Sequence, residues 1–176
     1  MGGIPKGTLR LPDGRTLVQR WIDLCGALNL ACVLVGNGAD YDAVGVSRIL
    51  DDPRAHGPLA GVLAAIEGVT TPNVVVVACD MPYVSDGLMQ ALCSAPEAVA
   101  IAGRVGGRWE PMFARYDVVR ARQHAIEAAA RGAFSLRGLL DELGAVPLDV
   151  PEEQAWELWD WDEPGDLNLG TACARP

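Results

Sequence analysis

The sequence predicts an α/β fold of three layers, in which a mostly parallel sheet carries helices on both faces and one antiparallel element joins late. Three observations predict it. Short, continuous apolar runs alternate with stretches of helical periodicity, the rhythm of β-α-β units. Those runs lack polar alternation, which suits strands covered on both faces. At Val105-Gly106-Gly107-Arg108 the rhythm changes, because a tight turn there sends the chain back as a hairpin.

From Thr16 to Asn29, the residues Leu17, Val18, Trp21, Ile22, Cys25 and Leu28 share one helical face. Leu30 to Val35 is a short apolar run with β-branched content, closed by Gly36-Asn37-Gly38. Gly57-Pro58 opens a second helix that reaches Glu67. Val74 to Cys79 is the clearest strand, four valines followed by Ala and Cys. Ser85 begins another helix as its N-cap. Ala98 to Ala102 reads as a third strand, and Trp109 to Tyr116 as the returning one. Helices over Asp117 to Arg131 and Ser135 to Leu143 precede a short strand from Val146 to Val150. The stretch from Asp149 to Asp166 holds eight acidic residues, no basic ones, and Trp156, Trp159 and Trp161.

A length of 176 residues, half of them hydrophobic, suits a single domain over 1–176 with a substantial core. Fourteen basic residues against 23 acidic ones give a net charge of −9. That excludes a general nucleic-acid binder, which needs a basic face to displace counterions from phosphates. A nucleotide is still allowed, since one lysine, backbone amides and a metal ion can hold it. No run reaches the roughly 18 apolar residues of a membrane span. The start, Met-Gly-Gly-Ile-Pro-Lys, lacks the basic region and apolar stretch of a signal peptide, and Lys6 stands where myristoylation wants Ser or Thr. The cysteines (Cys25, Cys32, Cys79, Cys93 and Cys173) are odd in number and never spaced C-x-x-C. Buried, reduced thiols in a cytoplasm fit them better than disulfides or zinc. Lys6 is the single lysine of the chain.

In open α/β sheets, ligands bind beyond the carboxyl ends of the strands. Asp80 directly follows the valine strand, and Pro82 keeps the segment after it extended. A carboxylate there is a natural Mg²⁺ ligand for a nucleoside triphosphate, or else a turn or capping residue. Gly2-Gly3-Ile4-Pro5-Lys6-Gly7 has the glycines and the cation of a phosphate-cradling loop, though without a preceding strand. Asp51-Asp52-Pro53 is either a turn or a ligand contact, and the amides opening at Gly57-Pro58-Leu59-Ala60-Gly61 can face an anion. Asp160 and Asp162 alternate with Trp159 and Trp161, so both share one face of an extended segment. They could reach one metal or hydroxyl, or form a solvated acidic edge. His56, His124, Ser85 and Ser135 have no partners in a catalytic pattern and read as non-catalytic.

Taken in order, these segments resemble the molybdenum cofactor guanylyltransferase family, within the nucleotidyltransferases of Rossmann-like fold. Gly2 to Gly7 is similar to the end of that family's L-A-G-G-x-S-x-R-M-G-x-x-K loop, and Leu11-Pro12-Asp13-Gly14-Arg15-Thr16-Leu17 to the turn after it. Asp52 with Gly57-Pro58-Leu59-Ala60-Gly61 resembles its D-x(n)-G-P-L-A-G stretch, and Cys79-Asp80-Met81-Pro82-Tyr83 its C-D-M-P-F/Y metal site. Trp109-Glu110-Pro111-Met112-Phe113-Ala114, Ser135-Leu136-Arg137 and Asp160-Trp161-Asp162-Glu163-Pro164-Gly165-Asp166-Leu167 look like its Q/H-P-L-F-A, S-L-R and N-x-N-T-P-E-D-L pieces. The resemblance implies that Lys6 binds the triphosphate, Asp52 contacts the nucleotide and Asp80 holds Mg²⁺, with Asp160 and Asp162 as further metal candidates. It implies transfer of GMP from GTP to molybdopterin with release of pyrophosphate, and transient contact with molybdoenzymes or their chaperones.

Three departures bear on this. The chain starts inside the signature loop, so the family's first strand and its L-A-G-G-x-S-x-R part are expected to be missing, which leaves unpaired backbone in mid-sheet. Aspartates stand at 160 and 162 where the family has asparagines, and would repel a pterin phosphate. Glu110 stands where a neutral or basic residue is usual. Rival readings are a cytidylyltransferase or sugar-phosphate nucleotidyltransferase of the same fold, and a non-catalytic paralogue that binds nucleotide or a partner.

Overall fold

The computed structural model describes residues 5–37 and 45–161. A 3-10 turn over Lys6–Thr8 leads through a short hairpin to helix α1 (Leu17–Ala27), whose N-cap Thr16 accepts a hydrogen bond from Gln19 N. Strands β1 (Val33–Val35) and β2 (Ser47–Ile49) pair in parallel. Helix α2 (Pro58–Gly68) follows, then β3 (Asn73–Val77), α3 (Asp86–Ser94), β4 (Ala100–Val105) and β5 (Arg108–Asp117). Helices α4 (Val118–Ala130) and α5 (Leu136–Glu142), strand β6 (Val146–Asp149) and a 3-10 segment over Glu152–Leu158 complete the order.

The second sheet has the order β3-β5-β4-β6. β5 runs antiparallel to both of its neighbours, whereas β4 and β6 are parallel. Gly106 and Gly107 make the β4–β5 turn at φ 52° and 77°. Two successive positive φ values are the signature of the tight hairpin turn whose twist matches its strands, and glycine adopts them without strain. The predicted antiparallel element is therefore present. It lies inside the sheet, between β3 and β4, and not along an edge.

Period-two alternation divides the core between the two faces. Val74 and Val76 pack with Leu59, Leu63 and Ile66 of α2, the alanines of α4 and Leu139 and Leu140 of α5. Val75 and Val77 point the other way, toward Trp21 and Leu24 of α1, Leu88 and Leu92 of α3, and Leu158. This is the predicted three-layer arrangement.

Both faces of the second sheet are covered as expected, whereas its edge at β3 is not. Among the described residues no ladder joins β1 to β3, so each has a free edge. The four valines are accordingly only half-buried, and Val35 is 37% exposed. The strand expected over Leu30 to Val35 contracts to its last three residues. β2 is exposed at Ser47 and Arg48 and half-buried only at Ile49, so pairing with β1 defines it.

β5 also supplies an unusual core residue. Arg115 is 7% exposed, and its guanidinium donates to the carbonyls of Leu92 (3.1 Å), Cys93 (2.7 Å) and Pro96 (2.6 Å). A charged side chain thus closes the C-terminal end of α3, where carbonyls lack helical partners. Replacing it with methionine leaves three carbonyls without that donor. Arg115→Met is expected to lower the unfolding free energy in urea by about 2–4 kcal/mol, with Arg115→Lys recovering part of the loss.

Candidate active site

Asp80 is placed by continuation of the β3–β5 ladder. Ala78 N donates to Met112 O at 3.0 Å, one residue past the strand, and Met81 N then turns back to Ala78 O. The carboxylate therefore emerges at the carboxyl end of β3, where the sequence put it. Two tryptophans fix the backbone around it. The indole of Trp21 on α1 donates to Cys79 O at 3.3 Å, and Trp161 N donates to Asp80 O at 2.9 Å.

The glycine-rich segment meets this strand end directly. Gly7 N–H points at the Cys79 sulfur, whose thiol burial raises to about 11. Thr8 N and its hydroxyl both donate to Pro5 O, which closes the turn. Within that turn Lys6 Nζ lies 2.7 Å from Asp80 Oδ2. The lysine side chain is 34% exposed and the aspartate 14%, so the pair is part-buried with its cation toward solvent. Gly2, Gly3 and Ile4 lie outside the described residues.

The acidic, tryptophan-rich stretch clamps the segment after Asp80. Trp161 is buried, and its indole donates to the Tyr83 hydroxyl at 3.0 Å. Tyr83 meets both Trp156 and Trp161 edge-on, at 6.1 and 6.2 Å between ring centres. Buried Glu157 accepts from Ser85 N at 3.0 Å, the amide just ahead of α3. This clamp brings exposed Asp160 to the same end of the sheet. Glu110, half-buried on β5, feels Asp160 as a like charge and Arg137 as an opposite one. Burial is the main reason its carboxyl titrates above the usual glutamate range, with Asp160 adding to the effect. Asp162 and the segment from Glu163 to Leu167 lie outside the described residues.

Asp52 belongs to a different surface. Its carboxylate takes hydrogen bonds from Arg54 N and Nε, both at 2.9 Å, and pairs with the guanidinium at 2.6 Å. Arg54 also pairs with Glu67 of α2. Those bonds hold the Asp52 carboxyl below the usual aspartate range. Together with Asp51, His56, Gly57 and Glu67 it lines a cavity of about 890 Å³, which neither Lys6 nor Asp80 lines. The structure thus unites Lys6, Asp80 and the Asp160 segment, and sets Asp52 at the mouth of α2. Ser85 is a helix cap, as read from sequence, Ser135 caps α5, and His56 packs edge-on against Phe134 at 5.1 Å. Cys25, Cys32, Cys79 and Cys93 are free, and they are partly buried where the sequence reading had them buried.

Among the described residues no three His, Cys, Asp or Glu side chains come together as a metal cage. Mg²⁺ does not require one, since it takes one or two carboxylates and completes its shell with phosphates and waters. A hard carboxylate beside an ammonium, at an open strand end, fits a metal–triphosphate pair. The supporting contacts of Trp21, Tyr83 and Glu157 were not legible in the sequence, because their partners lie 58 to 78 positions away. No helix among the described residues is long and apolar enough to cross a membrane.

Comparison with known proteins shows the family. Residues 1–146 match the MobA-like NTP transferase domain family. A molybdenum cofactor guanylyltransferase of Cereibacter sphaeroides is 30% identical over 161 residues, which cover 89% of this chain and 82% of the relative. The solved structure of molybdopterin-guanine dinucleotide biosynthesis protein A from Archaeoglobus fulgidus superposes with a TM-score of 0.77 at 21% identity, covering 98% of this chain and 92% of that one. The 2-C-methyl-D-erythritol 4-phosphate cytidylyltransferase of Thermus thermophilus shares the fold at a TM-score of 0.70 and 23% identity, over 98% and 95% of the two chains. With the match spanning most of its length, the chain belongs to the MobA-like NTP transferase domain family and is a nucleotidyltransferase.

Proposed function

We propose that this nucleotidyltransferase, as one cytoplasmic domain, moves GMP from GTP to molybdopterin and releases pyrophosphate. The observation that carries the reading is the 2.7 Å pairing of the single lysine with Asp80 at the carboxyl end of β3. The name of the 30% identical relative supports the choice of nucleotide and acceptor. Transient contact with the molybdoenzymes that receive the product, or with their chaperones, belongs to the same reading.

The reaction is an in-line displacement at the α-phosphorus. A bond forms from the acceptor's terminal phosphate oxygen to that phosphorus as the bond to the pyrophosphate oxygen breaks. Lys6 binds the triphosphate and neutralises the charge that accumulates on the leaving pyrophosphate. Asp52 contacts the nucleotide from the cavity beside α2. Asp80 holds Mg²⁺, with Asp160 and Asp162 as its further candidate ligands. When bound, that ion supplies charge neutralisation at the phosphoryl oxygens. The clamp of Trp21, Trp161 and Tyr83 keeps Asp80 in position without touching a substrate, so turnover need not reposition the strand end.

The test is pyrophosphate release from GTP and from CTP, each with molybdopterin. Release with GTP is expected; turnover with CTP alone assigns a cytidylyltransferase, and release with neither removes molybdopterin as the acceptor. Asp80→Asn is expected to lower metal-dependent turnover by roughly 100-fold or more while the thermal midpoint stays near that of the parent. Full activity in that variant removes Asp80 from the metal site. Lys6→Ala is expected to weaken GTP binding by about tenfold or more in a titration, and unchanged affinity removes the lysine from the triphosphate site.

A further inference from the structure

Helix α1 grips the loop that carries Asp80 through two consecutive side chains. The Trp21 indole donates to Cys79 O at 3.3 Å, at the entry of the loop. Arg20 donates from Nη2 to Val84 O, at its exit. The guanidinium also lies over the Trp21 ring, with Cζ 5.2 Å from the ring centre, so the two anchors brace each other. The same helix is bonded to the N-terminal turn. Leu17 N donates to Leu9 O and Leu9 N to Lys6 O, both at 3.0 Å. Both members of the Lys6–Asp80 pair therefore hang on α1. Met81 and Val84 are buried between the anchors, whereas the Asp80 carboxylate stays at the open strand end.

For stability alone, Arg20 is a poor choice. Its Nη1 is buried without a partner among the described residues. Burial, with Arg15 as a like charge, brings the guanidinium below the usual arginine range. An unpaired donor on a buried cation opposes folding, and an apolar side chain there would avoid the penalty. Arg115 is the contrast, since its three carbonyl bonds close a helix end far from Asp80 in sequence. We propose that Arg20 is a positioning residue, fixing the exit of the Cys79–Val84 loop so that the Asp80 carboxylate stands ready for a divalent cation. The inference rests on Asp80 as the metal ligand. Without the Arg20 bond the carboxylate spends part of its time turned away, and apparent metal affinity falls with the fraction in place. Glu157 and Trp161 hold the same exit through Ser85 N and the Tyr83 hydroxyl, so the loop loosens without melting.

The full-length parent, Arg20→Met, Arg20→Lys, Arg115→Met and Asp80→Asn are each titrated with Mn²⁺–GTP, and binding is read from water proton relaxation. Arg20→Met is expected to raise the half-saturating concentration roughly tenfold while its thermal midpoint stays near that of the parent. Arg20→Lys, which keeps a donor for Val84 O, should recover most of the affinity. Arg115→Met should lower the midpoint and leave the affinity unchanged. In the metal-free proteins, hydrogen exchange at the amides of Met81, Tyr83 and Val84 should quicken in Arg20→Met and not in Arg115→Met. Parent-like binding by Asp80→Asn removes the metal reading, and this inference with it. Loss of binding in Asp80→Asn beside parent-like binding in Arg20→Met overturns this inference alone. So does an Arg20→Met chain that unfolds, an equal loss of affinity in Arg115→Met, or unchanged exchange over residues 81–84.

Discussion

β5 is hydrogen-bonded along both edges, and everything near Asp80 depends on that double pairing. Val77 faces Phe113 and Ala102 faces Ala114, so one antiparallel strand holds two others at fixed register. One more bond, from Ala78 N to Met112 O, carries the register to the residue before Cys79-Asp80. The same strand sends Phe113 into one core and Tyr116 into the other, while Arg115 closes the end of α3. A slip by one residue would exchange those faces and take the arginine from its carbonyls.

Around that fixed strand end, distant segments converge for separate physical reasons. The N-terminal turn arrives through Gly7 against Cys79 and the Lys6 ion pair. Helix α1 arrives through the Trp21 indole, and the acidic stretch through Trp161, Tyr83 and Glu157. An acidic protein with one lysine is compatible with the proposed triphosphate chemistry because the cation is local. Charge averaged over the surface decides long-range steering, whereas charge at 2.7 Å decides binding chemistry.

Much of this was legible in the residues. Valine runs, the helix cap at Ser85, helix starts at Thr16 and Ser135, and the Gly106-Gly107 turn each act through local physics, and all appear in the structure. Lys6 and Asp80 stood out as a lone cation and a carboxylate after a strand, although they lie 74 positions apart. Strand β2 and the 3-10 segment over Glu152–Leu158 were not legible. Ser47 and Arg48 are exposed, so no hydrophobic period marks them, and pairing with β1 alone makes them a strand. The 3-10 segment is acidic outside and buries only Glu157 and Leu158, a contrast visible only with its partners in place.

By itself the sequence determined the α/β class and most element types, and it singled out the residues proposed for phosphate chemistry, since these readings follow from side-chain identity and short-range spacing. Only the tertiary structure decided three further matters. The antiparallel strand lies inside the sheet because its two edges find β3 and β4. Asp52 is tied to Arg54 beside α2, apart from the Lys6–Asp80 pair, because a short Asp-to-Arg reach outcompetes distant partners. And the acidic stretch packs over Asp80's backbone through buried aromatic edges and a buried glutamate, contacts that no local pattern encodes.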